Sequence, residues 1–234
     1  MSNAMRHQAI WLNFSNDFDM KSLKRLISVK SMNDETNIYD INKYILPNGN
    51  VSGEALTNSL FPTYTTGYFL SHSHDNGDLA KCVANLIRSK SSVFFDEEMW
   101  YSADKLIETL ISRQRKRSCS CGNDYYDLDS CLKNASLAYV LLCKSLQEVI
   151  MKSHTFLFIG TKESIYSEQR LSTLSPWIYY ELKTINMIIK KEPMYKIANE
   201  SAMAKIELPL ALECFEKIEI RCDSDLHKWF YSLQ

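Results

Sequence analysis

The sequence predicts an α/β protein with a flavodoxin-like parallel sheet and helices on both faces. Three observations predict it. Short apolar runs alternate with helix-period segments from Thr65 onward. One run, His154 to Gly160 (HTFLFIG), is apolar on nearly every residue, as a strand covered on both faces would be. Polar residues follow directly on the apolar runs, and ligands of such sheets sit beyond the carboxyl ends of the strands. Residues 71–75, residues 96–100 and the stretch from Thr161 are therefore the candidate segments.

Taken in order, Ser2-Asn3-Ala4 ahead of Met5 reads as a cloning remnant, so residues 1–4 are set apart. Residues 5–64 read as an N-terminal extension, a packing arm rather than part of the chemistry. It carries one amphipathic helix over 20–29, with Leu23, Leu26 and Ile27 on one side, and a turn at Leu46-Pro47-Asn48-Gly49-Asn50. Residues 65–234 read as the main domain. Tyr68-Phe69-Leu70 is its first strand, ending in Ser71-His72-Ser73-His74-Asp75, and a helix with Leu79, Val83, Leu86 and Ile87 follows. Ser92-Val93-Phe94-Phe95 is the next strand, ending at Asp96. Ser102 is placed to cap a helix carrying Leu106, Ile107, Leu110 and Ile111. A polar interruption over 113–129 precedes a long helix over 131–152 and the strand at 154–160. Ser175 and Pro176, as N-cap and first helical residue, open a helix reaching Lys190, with Ile178, Leu182, Ile185 and Ile189 as its buried stripe. Residues 206–210 and 218–220 are weaker strands, and Ser224 is expected to cap a closing helix to Leu233.

Composition removes several classes of function. Across 234 residues, 27 Lys+Arg against 28 Asp+Glu give a net charge of −1, so neither nucleic acid nor anionic lipid is an expected partner. An apolar share of 45% supports a real core. The six glycines never form G-x-G, which excludes the dinucleotide fingerprint and the phosphate-binding loop. No apolar run nears the ~20 residues that span a bilayer, so no membrane is expected. Seven cysteines, an odd number, and no leader-like start read as reduced thiols and a cytoplasmic location.

Two constellations carry chemistry. Trp177 and Glu181 stand four apart, on a different side of their helix from the isoleucine stripe. An aromatic ring and a carboxylate so placed can flank a flat cationic heterocycle. The plainer alternative leaves Glu181 solvating an exposed face while Trp177 packs. His72-Ser73-His74-Asp75 has the H-x-H start of a metallohydrolase site, yet no third histidine is near among the five present. Capping of the next helix is the preferred reading there, and no metal is expected. Cys119, Cys121, Cys131 and Cys143 fit no strong zinc spacing, and Arg113, Arg115, Lys116 and Arg117 read as a solvated turn.

The order Tyr68-Phe69-Leu70-Ser71-His72-Ser73-His74-Asp75, Val93-Phe94-Phe95-Asp96, Phe156-Leu157-Phe158-Ile159 and Ser175-Pro176-Trp177-Ile178-Tyr179-Tyr180-Glu181-Leu182 resembles Toll/interleukin-1 receptor (TIR) domains. It is most similar to the bacterial TIR-like group that includes the TIR subunit of Thoeris anti-phage systems. The resemblance covers residues 65–234, with an insertion at about 113–145. It implies an NAD-cleaving enzyme (an NAD glycohydrolase or cyclase) in defence signalling, with NAD as substrate and no further cofactor. Carried over by position, Glu181 matches the catalytic glutamate and Trp177 the aromatic beside it. Leu70, Ser71 and His72 match the first-strand exit lining the nucleotide pocket. Asp96 to Trp100 match the start of a loop that in the family mediates assembly and can complete a neighbour's site, which makes Asp96 and Trp100 substrate-binding candidates; here it lacks the usual Pro-Gly tip. Self-association and a separate effector or sensor protein are the implied partners. A non-catalytic TIR interaction module is the alternative.

Overall fold

The computed structural model describes residues 7–19, 23, 41–48, 51–60, 66–95, 108, 112, 117–118, 124–125, 127–166, 171–173, 175–190, 208–210 and 212–233. In chain order the main elements are β1 (Gln8–Phe14), α1 (Gly53–Leu60), β2 (Thr66–Ser71), α2 (Gly77–Arg88), β3 (Val93–Phe95), α3 (Leu128–Lys152), β4 (Ser153–Gly160), α4 (Pro176–Lys190), β5 (Glu216–Ile220) and α5 (Asp223–Ser232). The chain divides into two compact units. The first comprises residues 1–31, 64–95 and 149–234, and the second residues 32–63 and 96–148.

The first unit is built on one five-stranded sheet, ordered β3-β2-β4-β1-β5, with every pairing parallel. This is the α/β, flavodoxin-like architecture that the alternation predicts. The N-terminal segment differs from expectation. Residues 5–64 were expected to lie outside the sheet, yet β1 is an interior strand. It pairs with β4 on one side (Leu12 with Ile159) and with β5 on the other (Leu12 with Ile218). The reason is visible in Ala9-Ile10-Trp11-Leu12, a run buried at every position, which only a strand covered on both faces can use.

Alternation along the strands divides the core. Ile10, Leu12, Leu70, Phe95, Leu157 and Ile159 face one way, onto Leu79, Val83 and Ile87 of α2 and Leu226, Trp229 and Phe230 of α5. The other face carries Trp11, Phe69, Phe94, Phe156 and Phe158. The Phe69 ring stacks 5.3 Å from Phe94 and 5.1 Å from Phe156. Gly160 is required there, because the Trp11 indole fills the space a Cβ would take. Ser71 belongs to this second face, and α4 meets it through Glu181.

Helix α4 begins as its sequence predicts. The Ile178 amide donates to Ser175 Oγ at 3.3 Å, and Pro176 is the first helical residue. Two capping expectations are corrected. Helix α5 is capped at Cys222 rather than Ser224, which lies inside the helix; Asp225 accepts the Arg221 amide at 3.1 Å and takes over a free donor. In α2 the N-cap is Asn76, without a side-chain cap bond, so the polar run after β2 does not serve as a cap.

The second unit holds a 3-10 turn (Ile41–Tyr44), α1, a short ladder of residues 117–118 with 124–125, and α3 as far as residue 148. The expected turn at Pro47 and Asn48 is present, closed by a bridge between Ile45 and Val51. Of the expected helix after Ser102 only Glu108 and Ser112 are described, both helical. Cys119, Cys121, Arg113, Arg115 and Lys116 lie outside the described residues, as does the expected helix over 20–29 apart from Leu23, which is helical and buried. Among the described residues no helix is long and apolar enough to cross a membrane.

Candidate functional site

The strand order reverses between β2 and β4, because β2 connects outward to β3 and the chain then returns to the other side of β2. Such a reversal opens a crevice at the carboxyl ends of the strands. Two features of the first unit lie at that end, one closed and one open.

The closed feature joins β2 to α4. Ser71, the last residue of β2, donates its hydroxyl to Glu181 Oε2 at 2.5 Å across 110 residues of sequence. Both side chains have no exposed surface. The reading in which Glu181 solvates an exposed face is thereby excluded. Helix geometry explains the burial. Glu181 precedes Leu182 and lies one turn after Trp177, so it flanks the Ile178–Leu182–Ile185 stripe closely enough to be drawn under the helix. A carboxylate taken from water carries a heavy desolvation cost, and a short charge-assisted hydrogen bond offsets part of it. Two other polar residues of α4 are buried beside it. Thr184 donates to the Tyr180 carbonyl at 2.8 Å, and Asn186 donates to the Leu182 carbonyl at 2.9 Å. The Cys214 thiol donates to Asn186 Oδ1 at 2.6 Å, and burial pushes that thiol above its ordinary value of 9.0.

The structure brings Ser71 and Glu181 together and leads the neighbours of Ser71 elsewhere. Leu70 is fully buried in the core facing α2. His72 turns to the same side, its ring stacked 4.9 Å from Phe95, while His74 is exposed. Trp177 is half-buried on the first turn of α4. Asp96 and Trp100 lie outside the described residues. Among the described residues no group of three His, Cys, Asp or Glu side chains is arranged to hold a metal.

The open feature is a cleft of about 360 Å³. Its walls are Phe14 to Asn16 and Phe18 after β1, residues 75, 76, 78 and 79 after β2, and Thr161 to Glu163 after β4. Neither Glu181 nor Trp177 lines it. Two strand exits are strapped together by Asn76 Nδ2, which donates to Thr161 Oγ1 at 2.6 Å. The β4 exit is fixed in turn by Ser164, which accepts the Thr161 amide at 2.7 Å and donates to the Ile159 carbonyl at 3.1 Å. Phe14 and Phe18 meet edge to face at 4.9 Å. Asp75, Asp78 and Glu163 outnumber Lys162, which pairs with Glu163 at 3.8 Å. Acid, amide and hydroxyl groups beside aromatic rings suit sugar hydroxyls or a cationic ring and disfavour phosphate. The residues from β1 were missed in the sequence because β1 itself was. Its unbroken apolar run, ending in Asn13-Phe14-Ser15-Asn16, was the available signal.

The chain matches no protein-family model, no curated protein and no solved structure.

Proposed function

We propose that this chain is a TIR-like enzyme that cleaves the nicotinamide–ribose bond of NAD, with Glu181 as the catalytic carboxylate. The observation that carries the reading is the Ser71–Glu181 hydrogen bond, which sets a carboxylate at the carboxyl edge of a parallel sheet where ligands of this architecture bind. Nicotinamide leaves as a neutral ring, taking the electron pair of the glycosidic bond, and needs no general acid. The ribosyl centre becomes oxocarbenium-like, and a carboxylate opposite it stabilises the developing charge. Water adding at that carbon gives ADP-ribose; an internal nucleophile gives a cyclic product. Ser71 fixes the orientation of Glu181, and Trp177, one turn earlier on α4, supplies an aromatic face for the leaving ring. Glu181 has no exposed surface, so turnover on this reading requires an opening that admits the ribose. Assembly through TIR contacts and a separate effector or sensor belong to the same proposal.

The same burial favours a second reading, in which Ser71 and Glu181 merely tie α4 to the sheet of a non-catalytic interaction module. Loss of NAD, followed by chromatography with mass detection, separates the two. Wild-type protein at high concentration is expected to consume NAD. Glu181→Gln keeps an oxygen to accept the Ser71 hydroxyl, and is expected to stay folded while losing at least about a hundredfold in rate. No NAD loss by wild type, concentrated or crowded, favours the module. Equal loss by both proteins removes Glu181 from the chemistry.

A further inference from the structure

The cleft at the carboxyl ends of β1, β2 and β4 has no part in the chemistry assigned to Glu181. Its apolar lining, Phe14, Phe18 and Leu79, belongs to the core that faces α2 and α5. Ser71 and Glu181 meet on the other face of the sheet. At about 360 Å³ the cleft has room for a small organic molecule. All of its walls come from the first unit, by way of three separate strand exits. Two of those exits are tied by the Asn76–Thr161 hydrogen bond, so part of the wall is held in place before any ligand arrives.

The charge of the walls selects among ligands. Carboxylates at Asp75, Asp78 and Glu163 stand against a single ammonium, that of Lys162. Lys162 pairs with Glu163 at 3.8 Å and is the more exposed partner, at 67% against 32%. Asp75 makes no ion pair among the described residues. Acid at the start of α2 also suits the helix dipole, which accounts for Asp78. It does not account for Glu163, which reaches the cleft from another strand exit. Phe14 and Phe18 add aromatic rings to the same lining, and ring faces attract cations. We propose that this cleft is a ligand site in its own right and takes a small organic cation, its positive group toward Asp75 and Glu163 and its apolar body against Phe14 and Phe18. The site lies on the opposite face of the sheet from Glu181, so it stands or falls independently of NAD cleavage.

Isothermal titration calorimetry of the full chain with tryptamine tests it. Tryptophol, of the same shape without the charge, and indole-3-acetate, of opposite charge, are the comparison probes. Tryptamine is expected to bind saturably and at least about tenfold more tightly than tryptophol, with no binding of indole-3-acetate. Asp75→Asn/Glu163→Gln is expected to weaken tryptamine by about tenfold. Asp129→Asn/Glu148→Gln removes the same charge from residues that do not line the cleft, and is expected to leave binding unchanged. Glu181→Gln is expected to bind tryptamine as wild type does. Should the cleft variant fold poorly by circular dichroism, Asn16→Lys adds a competing ammonium at an exposed wall position and is expected to weaken binding likewise. No saturable tryptamine binding below about 10 mM overturns the proposal. So does equal binding of tryptophol, or a loss in the distant variant or in Glu181→Gln that matches the loss in the cleft variant.

Discussion

Helices α4 and α3 invert the usual arrangement in opposite ways. Helix α4 buries Glu181, Thr184 and Asn186, polar residues that belong outside by type, and each has a hydrogen-bond partner. Helix α3 leaves Leu128, Leu132, Leu137 and Val140 exposed, beside a stripe that is buried at Ala138, Leu142 and Leu146. Both departures cost stability, the first through desolvation and the second through apolar surface left wet. Departures of this kind are where a fold serves something other than its own stability. Amphipathic periodicity identifies which side of a helix is apolar. It does not say what will cover that side, and these two helices differ in just that respect.

The largest expected effect comes from an ordinary core position of α4. Leu182→Ala removes a 1% exposed side chain, and such truncations cost about 2–5 kcal/mol. For a chain of this size that lowers Tm by roughly 2–4 °C per kcal/mol. A thermal melt reads it, and a shift below a degree would mean that α4 does not seal the second face of the sheet. Ser71→Ala comes next. It takes the hydroxyl donor from Glu181 without changing the backbone, at an expected cost of about 1–3 kcal/mol. The double variant Ser71→Ala/Glu181→Leu is expected to recover part of that loss, because it removes the carboxylate along with its donor. Were the double variant worse than both single variants together, the buried pair would be contributing to stability beyond its own bond.

How much of this was legible in the sequence varies with the range of the interaction concerned. Helix α4 was readable to its first and last residue, because Ser175, Pro176 and the isoleucine stripe act within a few residues of one another. Strands β2, β3 and β4 were readable as apolar runs. Strand β1 was not placed, although Ala9 to Phe14 is as apolar as β4. Its partners are residues 155–160 and 216–220, and nothing local announces a pairing of that range. The cleft residues Phe14 and Phe18 were lost with it. Ser71 and Glu181 were each singled out, but their bond is a product of the sheet. The opposite turn of His72 follows from strand alternation, since neighbouring residues on an extended chain face opposite sides. TIR membership, NAD cleavage and defence signalling are carried by the resemblance of residues 68–75, 93–96, 156–159 and 175–182.

A smaller effect is expected from pH. The Cys214 thiol donates to Asn186 only while protonated, and burial raises its pKa above 9.0. A group whose folded-state pKa is raised contributes stability that is complete below its unfolded value and is lost as pH climbs through the folded value. The contribution of Cys214 to Tm is therefore expected to be complete up to pH 9.0 and to be lost above it. Burial also raises Tyr68 above 10.0, so it adds to the decline at still higher pH. Cys214→Ser supplies a hydroxyl donor that does not titrate there, and is expected to delay the onset of the decline without abolishing it. A decline identical in both proteins would assign all of it to groups other than Cys214.

The smallest effect belongs to α3. Leu132→Ala is the same chemical truncation as Leu182→Ala, made at a position 56% exposed instead of 1%. It is expected to change stability by no more than about 0.5 kcal/mol, since the leucine gives up little on leaving a surface. The contrast between the two truncations is thus a direct measure of coverage. A loss at Leu132 approaching that at Leu182 would mean that Leu132 is packed against the rest of the chain, and the exposed side of α3 would then begin beyond it.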